Sequence, residues 1–138
     1  MPSFEEVKVG DIIPSVQVVM DREMYKNYNR LVNEVNPLHF NEKYAQNLGF
    51  KTIVVAGVFT YSFFLQPILD WTKDPDCIKT IKIRFHQPIY IEDQITQGAI
   101  ITKKYIKEGE KYIECDIWVE NQKKENVTTG SAIFTINP

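Results

Sequence analysis

Apolar positions change their spacing several times along this chain, and each change predicts an element. From Asp11 to Met20 they alternate with polar ones closely enough for a half-buried strand. Met24, Tyr28, Leu31 and Val35 then recur at helical spacing, which predicts a helix from Asp21 to Val35 with those four as its buried stripe. Asp21 is a natural N-cap, because its carboxylate can accept from an orphan amide of the first turn. The helix must end before Pro37, since proline pushes the residue ahead of it out of helical conformation. Asn41 is placed to cap a short helix running through Asn47 and closed by Gly49.

Val58 to Trp71 is apolar almost all round, as expected of a helix buried on most sides. Pro67 lies inside it and predicts a kink near Phe63 to Pro67, because the ring removes one hydrogen bond and clashes with the carbonyl four residues back. From Cys77 onward Ile, Val, Thr and aromatics dominate. Strands are predicted over Ile78 to Phe85, Ile89 to Ile91, Ile95 to Lys103, Tyr112 to Glu120 and Val127 to Ile136. Turns at Glu108-Gly109-Glu110 and Asn121 to Asn126 separate the later ones. One strand, helices, one buried helix and a run of antiparallel strands make an α+β order. A curved sheet wrapped around the central helix satisfies it, as a single domain over residues 1–138.

Composition narrows the function. The 138 residues suffice for one core, with 43% hydrophobic and 25% charged positions. A net charge of −2 gives no basic field for nucleic acid. The lysines at 103, 104, 107, 123 and 124 read as solvated strand ends and turns. Cys77 and Cys115 are too few for a disulfide framework and have no metal-ligand spacing. Met1 to Val9 lacks the apolar stretch of a signal peptide, and Ile53 to Leu69 is broken by Gly57, Gln66 and Pro67, so no membrane span is expected. The expected compartment is the cytoplasm, where the Asn126-Val127-Thr128 sequon carries no meaning.

The candidate chemistry sits at Asn36-Pro37-Leu38-His39, with Glu34 two residues ahead. A turn there holds His39 just past the helix, where it can meet the Glu34 carboxylate. Such a neighbour moves an imidazole's proton affinity across neutrality and makes the two an acid/base pair. His86, beside Pro88, reads as a structural strand residue.

The stretch Leu31-Val32-Asn33-Glu34-Val35-Asn36-Pro37-Leu38-His39-Phe40-Asn41, with Ala45 and Gly49-Phe50 after it, resembles the signature of the MaoC-like (R)-specific enoyl-thioester hydratases and dehydratases. Val9-Gly10-Asp11, Ile53 to Val58, the run Arg84-Phe85-His86-Gln87-Pro88-Ile89 with Asp93, and Thr129-Gly130-Ser131-Ala132 resemble further segments of that family in the same order. The resemblance implies the hot-dog fold, a dimer whose sheets join edge to edge, and no cofactor or metal. The implied reaction is reversible addition of water to the C2=C3 bond of an enoyl thioester of CoA or acyl carrier protein. It also implies Glu34 and His39 as the catalytic pair. Gly57, at the start of the buried helix, would be the backbone oxyanion donor on the far wall of their shared pocket.

For Asn36 a turn role and a substrate contact both stay open. For Ser62 a hydroxyl near the pair and a packing role both stay open. Four positions depart from the pattern: Glu34 stands for Asp, Ala56 for His, Asn41 for Asp and Glu92 for Gly. Ala56 removes a side chain but not the amide that follows it, and Glu92 suggests a different turn before Asp93. Two rival readings remain. One is a non-catalytic acyl-thioester-binding subunit of a heteromeric dehydratase. The other is a hot-dog thioesterase, which needs a carboxylate near the central helix where Val58 to Leu69 has none.

Overall fold

The computed structural model describes residues 2–137, apart from the side chain of Ser62. Its sheet has five strands: β1 (Ile12–Val19), β2 (Ile78–Phe85), β3 (Gln94–Lys107), β4 (Glu110–Glu120) and β5 (Asn126–Thr135). They lie in the order β1-β3-β4-β5-β2, every neighbouring pair antiparallel. Register shifts in all four pairings, including those between Ile13 and Val16 and between Ile101 and Lys103, mark bulges that bend the strands. Alternate residues of β4, Ile113, Cys115, Ile117 and Val119, are all buried on the face that meets the helices. Val54 and Tyr90 form only an isolated bridge, so the strand expected over Ile89 to Ile91 is absent. The Asp93 carboxylate accepts from the Tyr90 amide there and closes a turn instead.

The first helix, α1 (Arg22–Leu31), starts as expected: Asp21 caps it by accepting from the Met24 amide at 2.9 Å. It ends well before Val35. Asn33 takes a φ of +55°, the Glu34 amide donates to the Asn29 carbonyl at 3.0 Å, and the Asn33 amide reaches Arg30 at 3.4 Å. Those paired bonds are the Schellman stop, which Asn can close because it tolerates the left-handed region. Met24 and Tyr28 pack on the core. Leu31 and Val35, expected in the same buried stripe, are 86% and 80% exposed. Glu34 is therefore a loop residue.

The next helix, α2 (Glu42–Asn47), is capped by Asn41 onto the Tyr44 amide and closed by Gly49 at φ +97°. The central helix is two helices, α3 (Gly57–Phe64) and α4 (Gln66–Thr72), meeting at Leu65. Pro67 explains the break: it has no N–H to give and its ring excludes the regular carbonyl position. Phe59, Phe64 and Ile68 are buried against the sheet. Val58, however, is 72% exposed, so the helix expected to be buried on most sides keeps one open face.

Glu92 adopts φ +71°, in the left-handed region that favours glycine. The turn before Asp93 thus keeps the backbone shape a glycine would take, at a cost of about 1–2 kcal/mol. Arg22 pairs with the Glu92 carboxylate at 3.3 Å on the surface.

Both cysteines are free and buried. Cys77 lies between α4 and β2, with Sγ 3.5 Å from Thr72 Oγ1. Cys115 lies in mid-sheet, where burial pushes its thiol up to about 12. Among the described residues no helix is long and apolar enough to cross a membrane.

Candidate active site

The loop after α1 is held by two side chains that bond to backbone. Glu34 Oε1 accepts from the amides of Val35 at 3.1 Å and Asn36 at 2.9 Å. Asn36 Oδ1 accepts from the Leu38 amide at 3.1 Å, which starts the single helical turn Pro37–His39. Pro37 suits its first position, where no N–H is needed. Asn36 therefore has the turn role, and its side chain is committed to it.

His39 is fixed from two directions. Its Nδ1 lies 2.8 Å from the Val54 carbonyl oxygen. A carbonyl only accepts, so Nδ1 carries the proton and the neutral ring keeps its lone pair at Nε2. Asn29 Nδ2 donates to the His39 carbonyl at 3.0 Å.

Tyr25 ties α1 to the start of α3. Its hydroxyl oxygen accepts the Ala56 amide at 2.8 Å, and its ring stacks on Tyr28 and tilts against Phe59. Burial pushes the Tyr25 phenol up to about 12, so it stays protonated at neutral pH. With Ala56 N–H so occupied, the next amide is Gly57, for which no acceptor is present among the described residues. The Phe85 ring covers Gly57 so closely that a Cβ there would lie 3.1 Å from Cζ. Replacing Tyr25 by Phe keeps the ring and leaves the buried Ala56 amide unpaired. Stability should fall by about 1–3 kcal/mol. A denaturant midpoint that does not move would contradict the brace.

His39 and Gly57 line one cavity of about 340 Å³, together with Thr60, Phe85, His86 and Ile89. His39 also borders a second cavity of about 400 Å³, walled by Arg22, Tyr25, Asn29 and Ile91. Glu34 lines neither cavity. Its Oε2 has no partner among the described residues. The structure thus brings His39 and Gly57 together and leaves Glu34 bound to its own loop. Ser62 belongs to α3, but its side chain lies outside the described residues.

His86 is corrected: β2 ends at Phe85, and His86 follows it on the cavity wall. Tyr25 and Asn29 were missed as well. Their spacing of one helical turn was a usable signal, masked by the neighbouring Met24–Tyr28 stripe.

The family model for the MaoC-like domain matches residues 8–123. The chain belongs to that family. Over 90 residues it is 30% identical to the mitochondrial 3-hydroxyacyl-[acyl-carrier-protein] dehydratase FERN of Solanum lycopersicum, covering 64% of this chain and 53% of that protein. Over 100 residues it is 27% identical to the (R)-specific enoyl-CoA hydratase of Rhodospirillum rubrum, covering 72% and 69%. The match with the tomato relative therefore spans about half of that protein's length.

Among solved structures, the (R)-hydratase of A. caviae involved in PHA biosynthesis superposes with a TM-score of 0.83 at 17% identity, over 96% of this chain and 99% of that one. A chain of the ChsH1-ChsH2 complex from Mycobacterium tuberculosis gives 0.80 at 19%, over 94% and 98%. The fold is the α+β hot-dog, and its neighbours include complexes of two different chains.

Proposed function

We propose that this chain reversibly hydrates enoyl thioesters, giving (R)-3-hydroxyacyl products carried on CoA or acyl carrier protein. It does so as one MaoC-like domain over residues 1–138. The observation that carries this reading is the shared cavity. His39 offers a lone pair at Nε2 on one wall, and the unpartnered Gly57 amide stands at a helix start on another.

Attack of water at C3 needs a base, and the electrons that leave C2=C3 need a donor at the thioester oxygen. His39, paired with Glu34, serves the first need and Gly57 the second. Each acid/base group contributes about 10²–10⁴-fold. An oxyanion donor adds about 10²–10³-fold. In this reading Glu34 acts through Oε2, while Oε1 holds the loop.

The exposed Leu31, Val35 and Val58 support an assembly with a second hot-dog chain, identical or related. Buried unpaired cysteines suit a reducing compartment such as the cytoplasm.

Glu34 separates this reading from its rival, the non-catalytic subunit, which the absence of Glu34 from the walls of both cavities favours. Glu34→Gln retains an oxygen for the Val35 and Asn36 amides but cannot carry a proton. With Glu34 as a proton-transfer group, kcat in an enoyl-CoA hydration assay falls by about 10²-fold or more. Glu34→Gln with wild-type kcat would leave the residue a loop brace only. A wild type that binds acyl-CoA without hydrating it would establish the rival.

A further inference from the structure

The chain has only two histidines, far apart in sequence, and both line the same cavity. Each is anchored through one ring nitrogen, and the other has no partner among the described residues. His39 is held at Nδ1 by the Val54 carbonyl. His86 is held at Nε2, 2.6 Å from Thr129 Oγ1, while its backbone amide donates to the Val127 carbonyl at 2.9 Å. His86 Nδ1 has no partner among the described residues.

The two anchors differ in kind. A carbonyl accepts only, which keeps a proton on His39 Nδ1 and makes Nε2 the nitrogen that gains and loses one. A hydroxyl both donates and accepts. Thr129 can therefore hold His86 with its proton on either nitrogen and with the ring in place, so that Nδ1 serves as donor or acceptor. One imidazole of the cavity is built as a fixed base, and the other can change between acid and base without moving.

We propose that His86 is a second catalytic residue, exchanging the proton at C2 while His39 exchanges the proton of water at C3. The proposal rests on the hydratase reading above and extends it. In the hydration direction, His39 Nε2 takes a proton from water as the C3–O bond forms. The π electrons of C2=C3 move to the thioester oxygen, held by Gly57 N–H. As the enolate collapses, protonated His86 gives its Nδ1 proton to C2. His39 ends one proton richer and His86 one poorer; once product leaves the cavity, His39 gives its Nε2 proton up to solvent and exposed His86 takes one back, which closes the cycle. Dehydration runs the same transfers backwards. Thr129 touches no reacting atom and is a positioning residue.

The test uses the whole chain with crotonyl-CoA as probe, and pairs kinetics with proton NMR of the two imidazoles. His86→Gln should lower kcat by about 10²-fold with KM within about threefold of wild type. Thr129→Val, which removes only the anchor, should lower kcat less. Saturation with 3-hydroxybutyryl-CoA should shift the ring signals of both histidines.

His86→Gln retaining kcat within about threefold of an active wild type overturns the proposal and leaves the hydratase reading standing. A His86 signal unmoved at saturation, while that of His39 moves, does the same. An inactive wild type overturns both, so the two failures are told apart.

Discussion

His39→Ala should reduce hydration of crotonyl-CoA by about 10²–10⁴-fold in kcat, the range for loss of a general acid/base group. A thousandfold loss corresponds to about 4 kcal/mol of transition-state stabilisation. The effect should fall on kcat far more than on KM, because in the proposed reaction the imidazole meets the substrate at the reacting carbons and not along the acyl chain. The side chain also donates to the Val54 carbonyl at 2.8 Å, so its removal frees the turn Pro37–His39. His39→Asn can refill that bond without an imidazole's basicity and separates the two effects. Recovery of stability without recovery of rate identifies Nε2 as the chemical group. A His39→Asn protein as fast as wild type would remove His39 from the chemistry.

Gly130→Ala should be the most damaging single change to the fold. Gly130 pairs with Ile83 across β5 and β2. A Cβ there would overlap the Lys82 carbonyl oxygen and stand 2.8 Å from Phe64 Cζ. The first obstacle is backbone of the neighbouring strand and cannot rotate away. The second is a fully buried ring of the central helix. Overpacking of this kind costs about 1–3 kcal/mol, and more when backbone must shift. Gly98→Ala is the control, since its Cβ would meet the Trp118 ring at 2.6 Å, and a half-buried side chain can turn aside. Urea titrations should place Gly130→Ala well below Gly98→Ala in midpoint. The reverse order would show that β2 gives way more easily than the tryptophan.

Much of this architecture was legible in the residues because local chemistry dictates it. Asp21, Asn41 and Gly49 cap and close their helices where expected, since each acts on amides or carbonyls within its own turn. Pro67 breaks the central helix for an equally local reason. The misreadings arose where a distant partner, or none, decided the outcome. Leu31 and Val35 have helical spacing, but Asn33 stops α1 first and nothing in the single chain covers them. At Glu92 the expected different turn is not formed: the residue takes the φ of the glycine it replaces, because that demand comes from the turn joining Met20 to Asp93 and not from the side chain.

At the site, Asn36-Pro37-Leu38-His39 announced the turn and the imidazole. The bond that chooses the tautomer of His39 comes from Val54, and the bond that orders the amides of α3 comes from Tyr25. Neither pairing leaves a periodic trace. His86 was hidden for the same reason, since only the pairing of β2 with β5 sets it beside Thr129.

The two buried thiols give the molecule a pair of internal clocks. A maleimide or disulfide reagent reacts with thiolate at an open sulfur, so in the native state it must wait for the chain to breathe. Cys77 is uncovered when the end of α4, whose Thr72 hydroxyl lies 3.5 Å from its Sγ, lifts away, a local event at the border of the sheet. Cys115, between β3 and β5 with its thiol pushed up to about 12, is uncovered only when the sheet itself comes apart. The faster modification therefore times fraying of the helix and the slower one global unfolding. The gap between them measures how independently the edge that carries β2 can open from the rest of the protein.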